Sequence, residues 1–119
     1  MNKKLMINDF VATSDGIEGR VIELYTDTIV IKDKDGEDYW LTPSTARPVI
    51  LTDDWIKEHD VLAIAEKNQM ILDFSRKYRL KVSLFSSDKT VQITYYYPKP
   101  KYVHELQQIL RFFNEIELV

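Results

Sequence analysis

The chain has 119 residues and not one cysteine. That excludes a disulfide framework, a thiolate nucleophile and any zinc or iron–sulfur site built on sulfur. Histidine is nearly as scarce, with only His59 and His104, so a metal centre ligated by several imidazoles from one chain is excluded too. Three glycines and four prolines are too few for a long flexible linker, and no glycine-rich loop is present to cradle a phosphate. None of Ser14, Ser44, Ser75, Ser83, Ser86 and Ser87 stands in a Gly-x-Ser-x-Gly elbow. No run approaches the roughly 18 apolar residues of a membrane helix. The start offers two lysines and then only Leu5-Met6-Ile7 before Asn8 and Asp9, well short of a signal-peptide core. These absences lead us to expect a soluble cytoplasmic protein that has no cofactor or bound metal, does not contact membranes and is not an enzyme.

What remains is an ordinary globular composition, 45% hydrophobic and 29% charged, in a length that suits one domain over residues 1–119. Such a domain buries roughly two-thirds of its extended surface, enough for a core without metal or disulfide. Charge is uneven. Residues 1–59 carry 7 Lys/Arg against 12 Asp/Glu, a net of −5, and residues 60–119 carry 9 against 7, a net of +2, which sum to the overall −3. A general nucleic-acid coat is therefore not expected, although a basic face in the second half is open.

Residues 9–50 read as a β meander. Phe10-Val11-Ala12 precedes the turn-prone Thr13-Ser14-Asp15-Gly16; a second strand begins at Arg20 and a β-branched third strand covers Thr28–Lys32. Asp33-Lys34-Asp35-Gly36 is a hairpin turn, because Asp-Gly supplies the positive φ that tight connections need, and Glu37–Leu41 pairs back. Thr52, Asp53 and Asp54 mark a helix start, with a capping hydroxyl and two carboxylates at the positive end of the helix dipole. Val61–Ala65 fits helix or strand, and residues 60–78 stay unassigned. Lys81–Phe85 and Thr90–Tyr95 alternate as a hairpin around Ser86–Lys89. From Tyr102 the period becomes helical, with Val103, Leu106, Ile109, Leu110 and Phe113 on one face and His104, Glu105, Gln107, Gln108 and Arg111 off it. The fold expected is α+β: an SH3-like small β-barrel at residues 5–50, a short helix at 52–59, antiparallel strands, and an amphipathic helix at 102–114. That helix is the dimer contact expected if its apolar face is left open.

Motifs with catalytic or metal-binding chemistry fail on inspection. His104-Glu105 opens like a zincin helix, but position 108 is Gln where the second histidine must stand. His104 is expected on the helix surface. Asp33–Asp38 has the flavour of a calcium loop, yet aligning Gly36 with the EF-hand glycine puts Ile31 and Thr42 at the first and last ligand positions. No pair of carboxylates sits in a recognisable acid–base setting.

Binding residues are better represented. Tyr95-Tyr96-Tyr97-Pro98-Lys99-Pro100-Lys101-Tyr102 combines rings that can stack bases with cations that can neutralise phosphates. Tyr95, Tyr97, Lys99 and Lys101 are the candidates there, with Arg76, Lys77, Arg79 and Lys81 able to join if the strands are adjacent. The competing view is that the tyrosines pave a sheet beneath the last helix while the lysines solubilise an edge. Trp40 and Trp55 are the other candidates: one belongs in the core, and the other can grip a peptide.

Two resemblances accompany this reading. Asn8-Asp9-Phe10-Val11, Asp15-Gly16-Ile17-Glu18-Gly19-Arg20-Val21-Ile22-Glu23-Leu24 and Ile29-Val30-Ile31 together resemble KOW and other SH3-like barrel modules. That implies a small barrel that binds RNA, DNA-associated machinery or peptides. Leu5–Val11, Arg47-Pro48-Val49-Ile50-Leu51-Thr52-Asp53-Asp54-Trp55-Ile56 and Tyr102-Val103-His104-Glu105-Leu106-Gln107 look like the anchors of a family of small Bacteroidetes and phage proteins, whose members read "PIPLTEEWL" and then "YVHQLQNLYFALTGEEL". Here Asn8 replaces the family's usual glycine and Phe112–Ile116 replaces its Ala-Leu-Thr-Gly segment. This second resemblance implies shared architecture and a mobile-element setting, but no activity. The function expected is non-catalytic binding of a protein partner within a bacterial or phage system. The alternatives are nucleic-acid binding through Tyr95–Tyr102 and sequestration of a host protein by a phage-borne inhibitor.

Overall fold

The computed structural model describes residues 5–114. Alternation and turn chemistry divide the first part into β1 (Phe10–Ala12), β2 (Glu18–Leu24), β3 (Ile29–Lys32), β4 (Asp38–Leu41) and β5 (Arg47–Pro48). They form one antiparallel sheet in the order β4-β3-β2-β1-β5. The β3–β4 turn is built as its Asp-Gly predicts. Gly36 takes φ 86° and donates its N–H to the Asp33 carbonyl (3.1 Å). Asp33 Oδ1 accepts the N–H groups of Asp35 and Glu37, both at 2.9 Å. Those bonds, the one from Glu37 foremost, hold the Asp33 carboxyl below its ordinary range. Gly19 has a different role: a Cβ there would lie 2.9 Å from the Lys32 carbonyl oxygen, so β2 and β3 approach as they do only because no side chain intervenes. A bulge between Val21 and Glu23 bends β2. One side of the bent sheet encloses Val11, Val21, Ile29, Ile31 and Ala46, flanked by Leu5, Tyr39 and Leu41. The sheet does not close among the described residues; β4 and β5 are its two edges.

Thr52 caps α1 (Asp53–Glu58), its hydroxyl oxygen accepting the Trp55 N–H at 3.1 Å. Asp60 then adopts the left-handed conformation (φ 51°, ψ 37°) and redirects the chain into α2 (Val61–Lys67). The ambiguous apolar run is therefore a helix, with Val61 and Ala65 buried against the core. It leads to a strand that local pattern does not reveal, β6 (Met70–Asp73), followed by β7 (Arg79–Phe85) and β8 (Gln92–Pro98) in a second antiparallel sheet, β6-β7-β8. The last element is α3 (Val103–Asn114). No helix among the described residues is long and apolar enough to cross a membrane.

The larger core joins both sheets: Ala12 and Val49 meet Trp55, Ile56, Val61 and Ala65 from the helices, Met70, Leu72, Leu80 and Val82 from the second sheet, and Val103, Leu106 and Leu110 from α3. Residues 49–51 are stitched to 101–103 by backbone bonds, Leu51 N–H to the Lys101 carbonyl (2.8 Å) and Val103 N–H to the Val49 carbonyl (2.9 Å). The apolar face of α3 is thus spent on the core and is not open for a dimer contact. Burial also reaches further round α3 than the hydrophobic period suggests. His104 and Gln107, expected on its surface, are each 1% exposed. His104 is sandwiched into the fold with its ring parallel to Tyr102 (centroids 5.7 Å apart). Gln107 is held by the N-terminal segment, its Oε1 accepting the Phe10 N–H (2.9 Å) and its Nε2 donating to the Asn8 carbonyl (2.7 Å). One turn on, Arg111 pairs with the fully buried Asp9 at 2.5 Å.

Candidate interaction surface

Register decides which side chains of the first sheet share its outer face. Phe10 opposes Arg20, Arg20 opposes Lys32 and Lys32 opposes Asp38, while Val30 opposes Trp40 two residues along. Arg20, Lys32, Asp38 and Trp40 therefore share the face opposite Val11, Val21, Ile29 and Ile31, with Val30 buried among them and Phe10 turned into the larger core. Lys32 Nζ pairs with Asp38 Oδ1 at 2.8 Å across the strands. Trp40 is 68% exposed, whereas Trp55 is buried, so the two tryptophans part company as core anchor and surface ring.

The same surface runs into a groove of about 860 Å³ between the β1–β2 turn, the β3–β4 hairpin and α1. Its floor is aromatic. His59 stacks on Trp55 (centroids 3.7 Å, planes 12° apart), and Phe10 meets both rings edge-on at 5.6 and 5.3 Å. His59 Nδ1 donates to the Trp55 carbonyl (3.0 Å), which fixes the neutral ring's proton on that nitrogen. Trp55 Nε1–H donates to Glu18 Oε1 (3.0 Å), holding a carboxylate over the stack. Arg20, Lys32, Asp33 and Glu58 line the walls, with the Tyr39 hydroxyl donating to Asp33 Oδ2 (3.1 Å). Burial first, and that carboxylate second, push the Tyr39 hydroxyl's pKa up. The groove thus offers both charge signs around an aromatic base, a lining suited to polypeptide.

The second sheet presents a different arrangement. Tyr95 and Tyr97 point inward, against Phe113 at 4.9 and 5.9 Å. Burial raises the Tyr97 hydroxyl's pKa, with Tyr95 adding to it. Tyr96 is the outward ring, 53% exposed and directly opposite Lys81, with Arg79 two residues away opposite Pro98. Asp73 faces Lys81 from β6. Tyr78 and Arg76 are exposed in the preceding loop, where Lys77 Nζ lies 5.3 Å from the centre of the Tyr78 ring. Lys99 is drawn away, its ammonium donating to the Phe74 carbonyl (2.7 Å), and Lys101 is exposed beyond the strand. The structure therefore groups Tyr96, Arg79 and Lys81; Tyr95, Tyr97 and Lys99 lie elsewhere, and Trp40 is on the other sheet.

Arg20, Lys32, His59 and Glu18 were not singled out from the sequence. The β2–β3 and β3–β4 registers would have placed the first two on the face that carries Trp40, but nothing local announces a contact between His59 and Phe10, 49 residues apart. Among the described residues no group of three or more His, Asp or Glu side chains converges to hold a metal ion. The chain matches no protein-family model, no curated protein and no solved structure.

Proposed function

We propose that this chain is a non-catalytic binding protein that docks a protein partner on the outer face of its first sheet. The observation that carries this reading is Trp40, left 68% exposed beside the Lys32–Asp38 pair and leading into the aromatic-floored groove. Exposed aromatic rings and arginines are the residues enriched at binding hot spots, and Arg20 lies on the same face, opposite Lys32. The strand order β5-β1-β2-β3-β4, the bulge in β2 and the enclosed apolar side favour reading residues 5–50 as an SH3-like barrel. The anchors at Leu5–Val11, Arg47–Ile56 and Tyr102–Gln107 favour kinship with small Bacteroidetes and phage proteins, and hence an adaptor, accessory or inhibitory role in such a system. A second reading rests on Tyr96, Arg79 and Lys81: a ring and two cations on one sheet face suit a single nucleic-acid strand.

The experiment is capture from host lysate with wild-type protein and Trp40→Ala, each with and without nuclease. The reading expects a stoichiometric protein that survives nuclease and is weakened about 30-fold by Trp40→Ala, the scale of a 2 kcal/mol hot spot. Capture that ignores Trp40→Ala, vanishes with nuclease and falls steeply with salt would move the function to the Tyr96 face.

A further inference from the structure

We infer that two copies of this chain pair edge to edge through β8, extending the second sheet to six strands in the order β6-β7-β8-β8-β7-β6. Backbone bonding sets which groups are available. The Lys99 N–H donates to the Tyr78 carbonyl, and the Val91 carbonyl accepts the Ser86 N–H. Odd-numbered residues of β8 therefore bond to β7, and the even-numbered ones, Gln92, Thr94 and Tyr96, turn both N–H and C=O to the open side. Among the described residues no strand lies on that side.

Sheet edges are ordinarily blocked by charge, proline or a bulge. The β4 edge carries Asp38 and the β5 edge carries Arg47 and Pro48. Strand β8 carries neither charge nor proline at its open N–H groups, Gln92, Thr94 and Tyr96; its one proline, Pro98, ends the strand beyond the last of them, and its pairing with β7 is unbroken. Two copies can approach with no charged residue in the paired stretch, and residues 92–96, which face one another about Thr94, make a contact line of about 17 Å.

The register with Thr94 on the two-fold axis satisfies all three open N–H groups in each copy, giving six inter-strand hydrogen bonds. It also sets Thr94 against Thr94 on the outer face and Ile93 against Tyr95 on the inner face, pairings that favour antiparallel strands. Ile93 and Tyr95 remain 51% and 39% exposed in the single chain, and Val91 beside them 56%. With Tyr96 and the exposed Gln92 and Thr94 they offer about 500 Å² per copy, hence about 1,000 Å² in the pair, the lower limit of a specific interface. The dimer is accordingly concentration-dependent.

The test is sedimentation equilibrium on the full chain over a wide concentration range. Wild type should pass from 14.1 kDa to twice that mass. Thr94→Lys and Thr94→Glu, each placing like charges face to face at the axis, should remain monomeric with unchanged circular dichroism. An equimolar mixture of the two should dimerise again, because only this register puts position 94 opposite itself. A wild type that stays monomeric throughout overturns the inference and leaves the edge to a foreign strand. Dimers that persist in both variants, or a mixture that fails to recover, overturn it as well.

Discussion

Replacing Gln107 with leucine tests whether a single buried amide couples the two ends of the fold. Its side chain is 1% exposed and makes two hydrogen bonds to backbone 97 and 99 residues away. Leucine has similar volume and equal or better helix propensity, so Gln107→Leu opens no cavity and leaves α3 intact. It does strand the Phe10 N–H and the Asn8 carbonyl. Each unsatisfied buried group costs about 1–3 kcal/mol; allowing about 1 kcal/mol for the added apolar burial, the net loss is about 1–5 kcal/mol. A chain of this length has about 6–18 kcal/mol in total, so the variant folds but is weakened. With a urea m-value of about 1.5 kcal/mol/M, the midpoint should fall by about 0.7–3.3 M. Far-UV circular dichroism against urea reads this directly. Gln108→Leu, a neighbouring change with no such bonds to lose, should stay within about 0.5 kcal/mol of wild type. Gln107→Glu discriminates further. Its carboxylate can still accept from Phe10 but turns an oxygen on the Asn8 carbonyl, so it should be weaker than the leucine variant at neutral pH and recover as the carboxyl protonates. A loss below about 0.5 kcal/mol for Gln107→Leu would refute the reasoning, since water would then be serving both backbone groups.

Arg111→Met should cost about 3–5 kcal/mol by chemical denaturation, because the fully buried Asp9 carboxylate loses its cation; a loss near zero would mean that the backbone N–H of Met6, its other donor, suffices. Gly19→Ala should cost about 1–3 kcal/mol, because the new methyl meets the Lys32 carbonyl oxygen at 2.9 Å and forces β2 from β3. The β7–β8 turn should be acid-sensitive. Hydrogen bonds from the Ser86 hydroxyl, the Thr90 hydroxyl and the Thr90 N–H hold the Asp88 carboxyl at about 2, against about 3.9 unfolded. A depressed carboxylate stabilises the turn fully above pH 4 and loses that contribution as pH falls through about 2. Amide exchange at Thr90 should accelerate across that window in wild type and show no such step in Asp88→Asn.

Where a pattern is local, the sequence was readable. Asp-Gly between β-branched runs located the β3–β4 hairpin, alternation located β7 and β8, and Thr52-Asp53-Asp54 located the start of α1. Residues 60–78 were not readable, because Val61–Ala65 has apolar residues on both a two-residue and a helical period. The left-handed Asp60 and the packing of Val61 and Ala65 on the core settle that conflict. Strand β6 exists because β7 offers it an edge, a long-range cause with little local trace. In the candidate surface, Trp40 was legible as a ring on a strand beside Tyr39, but its neighbours depend on register. At the other sheet alternation separated Tyr96 from Tyr95 and Tyr97, yet only the position of α3 determines which side faces out. Polar residues misled most on α3. A hydrophobic scale assigns His104 and Gln107 to water, whereas inside the fold the Gln107 amide bonds backbone of the N-terminal segment and the His104 ring lies parallel to Tyr102.

The clamp between residues 8–10 and α3 also sets the order in which this chain can assemble. Strand β1 pairs with β2 early and locally, but its Phe10 and Ala12 face the shared core, which is incomplete until Leu106 and Leu110 arrive. Contacts spanning about a hundred residues are slow to close. During synthesis at about 5–20 residues per second, the first sheet, complete at Pro48, waits about 3–12 s for Leu110 with that apolar flank uncovered. For that interval the unfinished chain displays a surface the finished protein never shows, making it a natural client for chaperones. Weakening α3 should therefore lower the yield of soluble protein more than its effect on equilibrium stability implies.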